Sequence, residues 1–196
     1  MPVDADLVVP RPQDRERSSE RAPAWIRDGA SLDVRAVRPT DTRDLEVLFA
    51  GLDTTWFRPH DLGPAGARAV AGYVGRDVYL IGWLGRVPVV YGILRGWDEG
   101  YAVPSLGVAV RDGYRDHGLG RQMMHALHRV VRERQGDRVR LRVAPGNARA
   151  RHLYDSLGYR QVGIERGELV LVLELDRRHE PVGSGRTPSI SGLSHA

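Results

Sequence analysis

The chain of 196 residues contains no cysteine and no lysine. Without cysteine it has no disulfide, no thiolate nucleophile and no cysteine-ligated zinc. Without lysine it has no P-loop, because that phosphate-binding motif requires Gly-Lys-Ser or Gly-Lys-Thr. No run of about 18 apolar residues is present, so we expect no transmembrane helix and no membrane partner. The N-terminal residues lack the basic and apolar regions of a signal peptide, and we therefore expect a cytoplasmic protein.

The composition predicts one globular domain. Hydrophobic residues make up 41% of the chain, which is enough for a single core. The net charge of +4 is too small and too dispersed to indicate nucleic-acid binding. The histidines show no metal-ligand spacing, so we expect no metal site and a solvent-facing position for three of them, His117, His125 and His128.

The two ends of the chain differ in composition from its middle. Residues 1–28 are rich in proline and charged side chains, and residues 177–196 carry glycine, serine and threonine around isolated apolar residues. Both segments are predicted to be flexible tails, with Trp25 and Ile26 able to dock on the domain. The folded domain is accordingly predicted to span residues 29–176.

Apolar periodicity and turn residues divide this domain into alternating strands and helices. Three helices are predicted. The first begins after its cap, Asp41, and extends to Leu52, and the second spans Ala65–Val74. The third begins at about Leu119 and stops at Gly136. Strands are predicted at Leu32–Val37, Val78–Trp83, Val87–Leu94, Val103–Val110, Val139–Val143 and Leu169–Leu175, the last buried on both faces. Strands that first meander and then alternate with helices predict a mixed sheet covered by helices, an α/β (α+β) fold.

One turn carries the first chemical signal. The apolar strand ending at Val110 is followed by Gly113-Tyr114-Arg115-Asp116-His117-Gly118-Leu119-Gly120, which opens an amphipathic helix. Free backbone N–H groups and the positive end of the helix dipole favour an anion there. Glycines allow a bulky phosphate to approach the backbone closely. A dinucleotide-binding motif is excluded, because its third glycine would fall at Met123.

A second segment adds a short helix close to this turn in sequence. Pro145-Gly146 ends the preceding strand, Asn147 is a helix cap, and Gly158 is a helix stop. Asn147 and Tyr154 are seven residues apart, so both point to the same side of this helix. Its apolar stripe consists of Ala150, Leu153 and Leu157.

Together the two segments resemble the paired motifs of the GNAT acyltransferases. Arg115-x-x-Gly118-x-Gly120 is followed at a fitting distance by Asn147-x-x-Ala150-x-x-Leu153-Tyr154-x-x-Leu157-Gly158-Tyr159. The resemblance extends over roughly Leu32 to Leu175 and implies a single GNAT-type domain. In that fold a mostly antiparallel sheet has helices on both faces and is split between its fourth and fifth strands.

The resemblance also implies acetyl-CoA as co-substrate and direct acetyl transfer to an amine, with no metal. The donor would be held by the strand and turn residues Val108, Ala109, Val110, Arg115, Asp116, His117, Gly118, Leu119, Gly120 and Arg121, together with Asn147. The pyrophosphate would lie on the 115–120 turn, and Asn147 would bond to the pantetheine arm. We expect a monomer or a homodimer.

The proton transfers suggest two catalytic residues. An amine with a pKa near 10 must lose a proton, and a thiolate with a pKa of about 8.5 departs. The resemblance implies that Tyr154 protonates the thiolate. The alternative is that Tyr154 only packs in the core. Many GNAT members carry a glutamate early in the fourth strand, but the matching residues 103–107 hold no carboxylate. Glu99, in the loop just before, is the candidate base; a water-relayed base or a deprotonated acceptor are the alternatives.

The acceptor is the least specified part of the sequence. The residues Arg95 to Tyr101 and Pro104 to Gly107 resemble GNAT members of polysaccharide and nucleotide-sugar pathways, which implies a small-molecule amine such as an amino sugar. Aromatic residues available to line a sugar site are Trp56, Phe57, Tyr79, Trp83, Tyr91, Trp97 and Tyr101. A protein or peptide amine, or a non-catalytic acyl-CoA sensor, are the alternatives.

Overall fold

Seven strands form one sheet in the computed structural model, which describes residues 30–57 and 59–175. The strands are β1 (Asp33–Ala36), β2 (Val78–Leu84), β3 (Val87–Arg95), β4 (Ser105–Val110), β5 (Arg138–Val143), β6 (Arg160–Glu165) and β7 (Glu168–Glu174). The helices are α1 (Thr42–Ala50), α2 (Pro64–Ala71), α3 (Leu119–Glu133) and α4 (Ala148–Ser156), with a short 3-10 turn at Pro39–Asp41. Both predicted tails, with Trp25 and Ile26, lie outside the described residues.

The strand order is β1-β2-β3-β4-β5-β7-β6, and every neighbouring pair is antiparallel except β4 and β5. The predicted mixed, mostly antiparallel sheet is thereby confirmed. Within the described part of the chain, no helix is long and apolar enough to cross a membrane.

Helices cover both faces of the sheet, as predicted, and each face has its own core. Helices α1 and α2 pack on one face through a cluster that includes Leu45, Leu48, Phe49, Ile81 and Tyr91. Helices α3 and α4 contribute to the larger cluster, which includes Leu80, Met123, Leu127, Leu141 and Tyr154. The predicted apolar stripe of α3 (Leu119, Met123, Ala126, Leu127 and Val130) is completely buried.

Two predicted helix boundaries are wrong in detail. Asp41 does not cap α1 with its side chain. Its carboxylate instead accepts hydrogen bonds from the Arg35 guanidinium at 2.6 and 2.8 Å and from the Arg38 backbone N–H at 2.7 Å. At the end of α3, the left-handed residue is Gln135 (φ 60°) and not Gly136, so the helix ends earlier than the glycine suggests.

Strand β6 has no counterpart among the predicted elements. It lies at the edge of the sheet, and its two large apolar residues, Val162 and Ile164, are exposed. An edge strand with little burial has no strong hydrophobic pattern, which explains the omission. A signal was present in the Arg166-Gly167 turn to β7, where both residues have positive φ as a two-residue hairpin requires.

His128 is also placed differently from its prediction. It is 3% exposed on α3, and its Nε2 lies 2.8 Å from the hydroxyl oxygen of Tyr159. Burial lowers the pKa of His128 to about 3, so the ring is neutral at pH 7. His125 is exposed and His117 is partly buried. The apolar stripe of α3 is therefore wider than its spacing suggests, because one histidine belongs to it.

Candidate active site

A gap opens in the sheet between β4 and β5. Strand β4 pairs with β3 along its whole length, but with β5 only where Ser105 lies opposite Arg140. The Arg111 N–H donates to the Val89 C=O of β3 at 2.8 Å. On the other side, the Pro104 C=O accepts from the Arg140 N–H of β5 at 3.0 Å. Because backbone groups alternate along a strand, those of Val108 and Val110 face the gap, whereas those of Ala109 face β3. The predicted split between the fourth and fifth strands is confirmed.

The gap forms the floor of a cleft with a volume of about 630 Å³. Residues 106–110 of β4 and 142–144 at the end of β5 line its two sides. The turn into α3, the inner side of α4 and a segment of the α1–α2 loop complete the lining. Five segments of the chain thus meet at one opening in the sheet.

The turn into α3 presents unpaired backbone N–H groups. Asp116 and Gly118 have φ values of 66° and 74°, in the left-handed region. Helix α3 has no side-chain cap and no acidic residue in its first turn. A Cβ atom on Gly118 would have nothing within 4 Å, so the space beside it is open. The turn therefore offers an uncapped helix N-terminus to an anion, as the sequence predicts.

Arginine side chains surround this end of the cleft. The lining includes Arg115, Arg121, Arg142 and Arg149, against two carboxylates, Asp53 and Asp116. Arg115 Nη2 lies 2.7 Å from an Asp112 oxygen and 3.5 Å from an Asp53 oxygen, while Arg149 pairs with Asp116 at 3.0 Å. The positive excess suits a polyanion such as a pyrophosphate.

Tyr154 lies deeper in the cleft wall. Its side chain is 7% exposed and packs against the Tyr159 ring at 5.7 Å between centroids. Burial raises its pKa to about 12, so the hydroxyl keeps its proton at neutral pH. No hydrogen bond to this hydroxyl is found among the described residues, which leaves it available to a ligand. A protonated, uncommitted hydroxyl is what a proton donor in the cleft needs.

Asn147 performs the structural role that the sequence predicts. Its side-chain oxygen accepts a hydrogen bond of 3.2 Å from the Ala150 N–H and caps α4. The same residue lines the cleft, so its amide N–H₂ group can serve a ligand at the same time.

The α1–α2 loop forms the other end of the cleft. Phe57 lies over β4, since a Cβ atom on Gly107 would come within 2.9 Å of its ring. Trp56 is 52% exposed, and a Cβ atom on Gly146 would come within 3.3 Å of its ring. Phe57 therefore lies beside β4 and Trp56 beside the turn after β5, on the two sides of the gap. Of the other aromatic candidates, Trp83, Tyr91 and Trp97 are buried core residues, and Tyr101 is exposed away from the cleft lining.

The cleft brings together most of the residues predicted to bind the donor. Its lining contains Val108, Ala109, Val110, Arg115, Asp116, Gly118, Leu119, Gly120, Arg121, Asn147 and Tyr154. His117 does not line it, although it belongs to the same turn. Asp53, Tyr114, Arg142, Arg149 and His152 line the cleft without having been predicted. Asp53 and Arg142 lie outside the two motif segments, so no local signal identifies them. Tyr114 lies in the 113–120 turn, and Arg149 and His152 occupy unspecified positions of the second motif.

Glu99 is not brought to the cleft. It is exposed in the turn between β3 and β4, outside the lining. Its neighbour Asp98 accepts hydrogen bonds from the Tyr73 hydroxyl and from the Arg76 N–H, the latter at 2.8 Å. These bonds lower the pKa of Asp98. In the described ranges, no three histidine, aspartate or glutamate residues form a group suited to a metal ion.

Comparison with known proteins agrees with this geometry. Residues 46–159 match the profile of the family described as Acetyltransferase (GNAT) family. No curated protein sequence matches the chain.

Solved structures share the fold at low sequence identity. The GNAT domain of S. lividans PAT superposes with a TM-score of 0.65 at 19% identity, covering 79% of this chain and all of that one (100%). The ribosomal-protein-S5-alanine acetyltransferase from Vibrio fischeri gives 0.64 at 12% identity, covering 76% and 96%. The putative acetyltransferase yncA from Salmonella typhimurium, solved with its cofactor acetyl-CoA, gives 0.55 at 21% identity, covering 77% and 98%.

Proposed function

The chain belongs to the GNAT family of acetyltransferases, and from that premise we propose that it moves the acetyl group of acetyl-CoA directly onto the primary amine of a small molecule. It is an acyltransferase that uses acetyl-CoA. The observation that carries the proposal is the cleft at the β4–β5 split. An uncapped helix N-terminus lies at one end of it and a protonated tyrosine hydroxyl lies deeper in its wall.

The donor half of the cleft fits the chemistry of coenzyme A. The N–H groups of the 118–121 turn and the side chain of Arg115 would hold the pyrophosphate. The backbone groups of Val108 and Val110 face the gap without a strand partner and would bond to the amides of the pantetheine arm; the Val110 C=O also accepts a hydrogen bond of 3.5 Å from Arg115 Nε. Asn147 would add its amide N–H₂ group. Arg115 would exchange its contacts with Asp112 and Asp53 for the pyrophosphate.

Acetyl-CoA supplies the acetyl group as a thioester, whose carbonyl carbon the free amine of the acceptor attacks. The carbon–sulfur bond then breaks, and the sulfur leaves with the electron pair. Tyr154 would donate its hydroxyl proton to that sulfur and recover a proton from solvent. A phenol with a pKa of about 12 is a weak acid, but a thiolate forming beside it in a water-poor wall is a strong local acceptor. No covalent intermediate with the chain is needed.

The proton lost by the amine has no side-chain base on β4. The carboxylates that line the cleft, Asp53 and Asp116, are paired with Arg115 and Arg149. Hydrogen bonds from Thr55 are the main cause that lowers the pKa of Asp53, which makes it a poorer base. Glu99 stays a candidate on sequence grounds alone. We propose that the proton leaves through water, or that the acceptor binds already deprotonated.

The half-exposed Trp56 and the Phe57 ring support a small acceptor. Both line the cleft, where an apolar sugar face can stack on an aromatic ring. An amino sugar is therefore the acceptor that we propose. The alternative is a protein amine, since one fold relative is a ribosomal-protein alanine acetyltransferase.

The test is an acetyl-CoA consumption screen over amino sugars, other small amines and peptides with free N-termini, with products identified by mass spectrometry. Acetylated small amines would support the proposal. Acetylation of peptides alone would replace it by the protein-acceptor alternative. Hydrolysis of acetyl-CoA without any acetylated product would contradict both.

A further inference from the structure

A second cavity lies on the α1–α2 face of the sheet. Its volume is about 380 Å³, near the lower limit for small-ligand pockets, and it shares no lining residue with the cleft. Strands β2 and β3 provide Tyr79 and Arg95 as its floor. Tyr79 lies opposite Ile93 in the strand register, so Arg95 is its diagonal neighbour on the same face.

The walls of this cavity form a flat, apolar slot. The small residues Ala65, Gly66 and Ala69 of α2 line one side. The ring of Tyr73 meets that of Tyr79 edge-on at 4.9 Å, and the His60 ring meets Tyr79 at 6.2 Å. Burial is the main cause that lowers the pKa of His60, so its ring is neutral at pH 7. These apolar and aromatic walls suit the flat, uncharged part of a ligand.

In the part of the chain that the structure describes, the floor holds two donor groups that make no hydrogen bond. Arg95 donates from Nη1 to the Pro59 carbonyl at 2.8 Å, but its buried Nε has no hydrogen bond. The nearest carboxylate oxygen to Nε belongs to Asp77 and is 3.8 Å away. Among the described residues, the Tyr79 hydroxyl has no hydrogen bond either. Unpaired donors beside a cavity need an explanation, because most buried polar groups are paired.

The acidic residues around the cavity already have hydrogen-bond donors, and one of them, Asp77, also forms an ion pair with Arg95 through its other oxygen. Asp61 accepts hydrogen bonds of 2.9 Å from the backbone N–H groups of Gly63 and Gly66. Asp77 accepts from two consecutive N–H groups after β3, both at 2.9 Å. Asp98 accepts from the Tyr73 hydroxyl and from a backbone N–H. The polar groups that remain for a ligand in the cavity are therefore donors, Arg95 Nε and the Tyr79 hydroxyl. The guanidinium of Arg95 is positively charged.

We propose that this cavity binds the carboxylate of a small, flat organic acid. The guanidinium of Arg95 and the hydroxyl of Tyr79 hold the carboxylate, and the apolar body lies between α2 and the rings of His60 and Tyr73. The acid is either an acidic group of the acceptor itself or a separate metabolite. The loop that carries His60 also carries Phe57 of the cleft, and both rings pack on Tyr91, at 5.7 and 6.2 Å. We expect a ligand in the cavity to affect the acceptor end of the cleft through this shared packing.

The binding test uses benzoate as the probe and the full chain as the protein. Benzoate should bind saturably, and its neutral isostere benzamide should bind at least about 10-fold more weakly. Arg95→Gln should weaken benzoate by about 10- to 100-fold, and Tyr79→Phe by about 3- to 10-fold. Arg86→Gln, an exposed arginine at the other end of the same hairpin, should bind like the unmodified protein. Equal binding of benzoate and benzamide, or unchanged binding in both cavity variants, would overturn the proposal.

A kinetic experiment distinguishes the two sources of the acid and rests on the proposed function. Benzoate that competes with the acceptor amine indicates the acceptor's own acidic group. Benzoate that changes turnover without competing indicates a separate acid. Either pattern must weaken in Arg95→Gln; if it persists there, benzoate acts at another site and the proposal fails. A protein that acetylates no amine contradicts the proposed function, while the benzoate titration still decides the cavity.

Discussion

The two ends of the cleft differ in the chemical groups that form them. At the donor end, arginine side chains surround a frame of backbone groups: the exposed edge of β4, the uncapped start of α3 and the capped start of α4. The acceptor end consists of side chains, Trp56 and Phe57, carried by a loop between two short helices. The donor end is held in place by a strand and two helix starts. The acceptor end is held by a loop whose described residues pair with no strand.

This difference has a physical consequence for specificity. A backbone edge and a helix N-terminus recognise amides and phosphates whatever the side chains are, so they suit a co-substrate common to a family. A loop tolerates substitution and insertion, so it suits an acceptor that changes between members. Substitutions at the donor end should therefore abolish binding or turnover, and those at the acceptor end should change them in degree. The following predictions test that ranking.

The largest effect is expected at Gly118. Gly118→Asp places a negative charge at the helix N-terminus, where the pyrophosphate should bind, and should weaken acetyl-CoA by about 100-fold or more, measured by calorimetry. Gly118→Asn is the matched control, because asparagine and aspartate both tolerate positive φ while only aspartate is charged. Equal affinities for the two variants would show that no anion binds at this turn.

Tyr154→Phe removes only the hydroxyl at the donor end. It should lower kcat by about 10- to 1000-fold, the scale of general acid catalysis, and leave acetyl-CoA affinity within about two-fold. Steady-state kinetics and calorimetry on the same preparation separate these quantities. Tyr114→Phe, a buried cleft tyrosine of the 113–118 turn, is the control. Full turnover in Tyr154→Phe would reduce that residue to packing.

Protonation of His128, which packs behind Tyr154 and Tyr159, should make the stability of the fold depend on pH. Its folded-state pKa is about 3, below the unfolded value of about 6.5, so acid protonates the unfolded chain first. The free energy of unfolding should therefore fall as pH drops from about 6.5 toward 3, by up to about 1.4 kcal/mol per pH unit from this group. Urea titrations at several pH values should show a shallower slope for His128→Gln.

Tyr159→Phe tests the cause of this pH dependence. Burial is the first cause of the low pKa of His128, so the slope should largely persist when the hydroxyl is removed. If the slope disappears with the hydroxyl, the hydrogen bond rather than burial holds the ring neutral.

The same contrast explains how far the sequence predicts the molecule. The two motifs predict the 115–120 turn, the Asn147 cap and the direction of Tyr154, because each depends on a local backbone requirement. The elements next to the cleft follow from apolar periodicity. Arg142, Arg149 and Asp53 on its walls do not follow, since they reach the cleft only through the tertiary arrangement of β5, α4 and the α1–α2 loop. The buried His128 and the edge strand β6 fail for the opposite reason: their residue types suggest an environment that the fold overrides.

Asp53 tests whether the two ends of the cleft are coupled. Its carboxylate lies 3.5 Å from Arg115, which would have to face the pyrophosphate. Asp53→Asn keeps the acceptor oxygen for the Thr55 N–H but removes the charge, so acetyl-CoA should bind about 2- to 5-fold more tightly at low salt. The exposed Asp155→Asn on α4 carries the same change of net charge and should have no such effect. Weaker binding in Asp53→Asn would show that this residue orders Arg115 for the donor rather than competing for it.

The smallest effect is expected at Glu99, the base candidate that the sequence alone supports. Its side chain is exposed outside the cleft lining, so we expect it to make no contact with the acceptor amine. Glu99→Gln removes the charge and keeps the shape, and its profile of kcat/KM against pH should overlay that of the unmodified enzyme within about two-fold. If the acidic limb of the profile shifts or vanishes while acetyl-CoA binding persists, Glu99 acts as the base and the turn must move toward the cleft during turnover. Asp98→Asn, measured in parallel, separates the two carboxylates. Asparagine keeps only one acceptor oxygen for the two donors, Tyr73 and Arg76, so the variant should lose stability without moving the acidic limb. Overlaying profiles for both variants would leave water as the proton's route, and the acceptor end would then contribute position and stacking but no acid–base group.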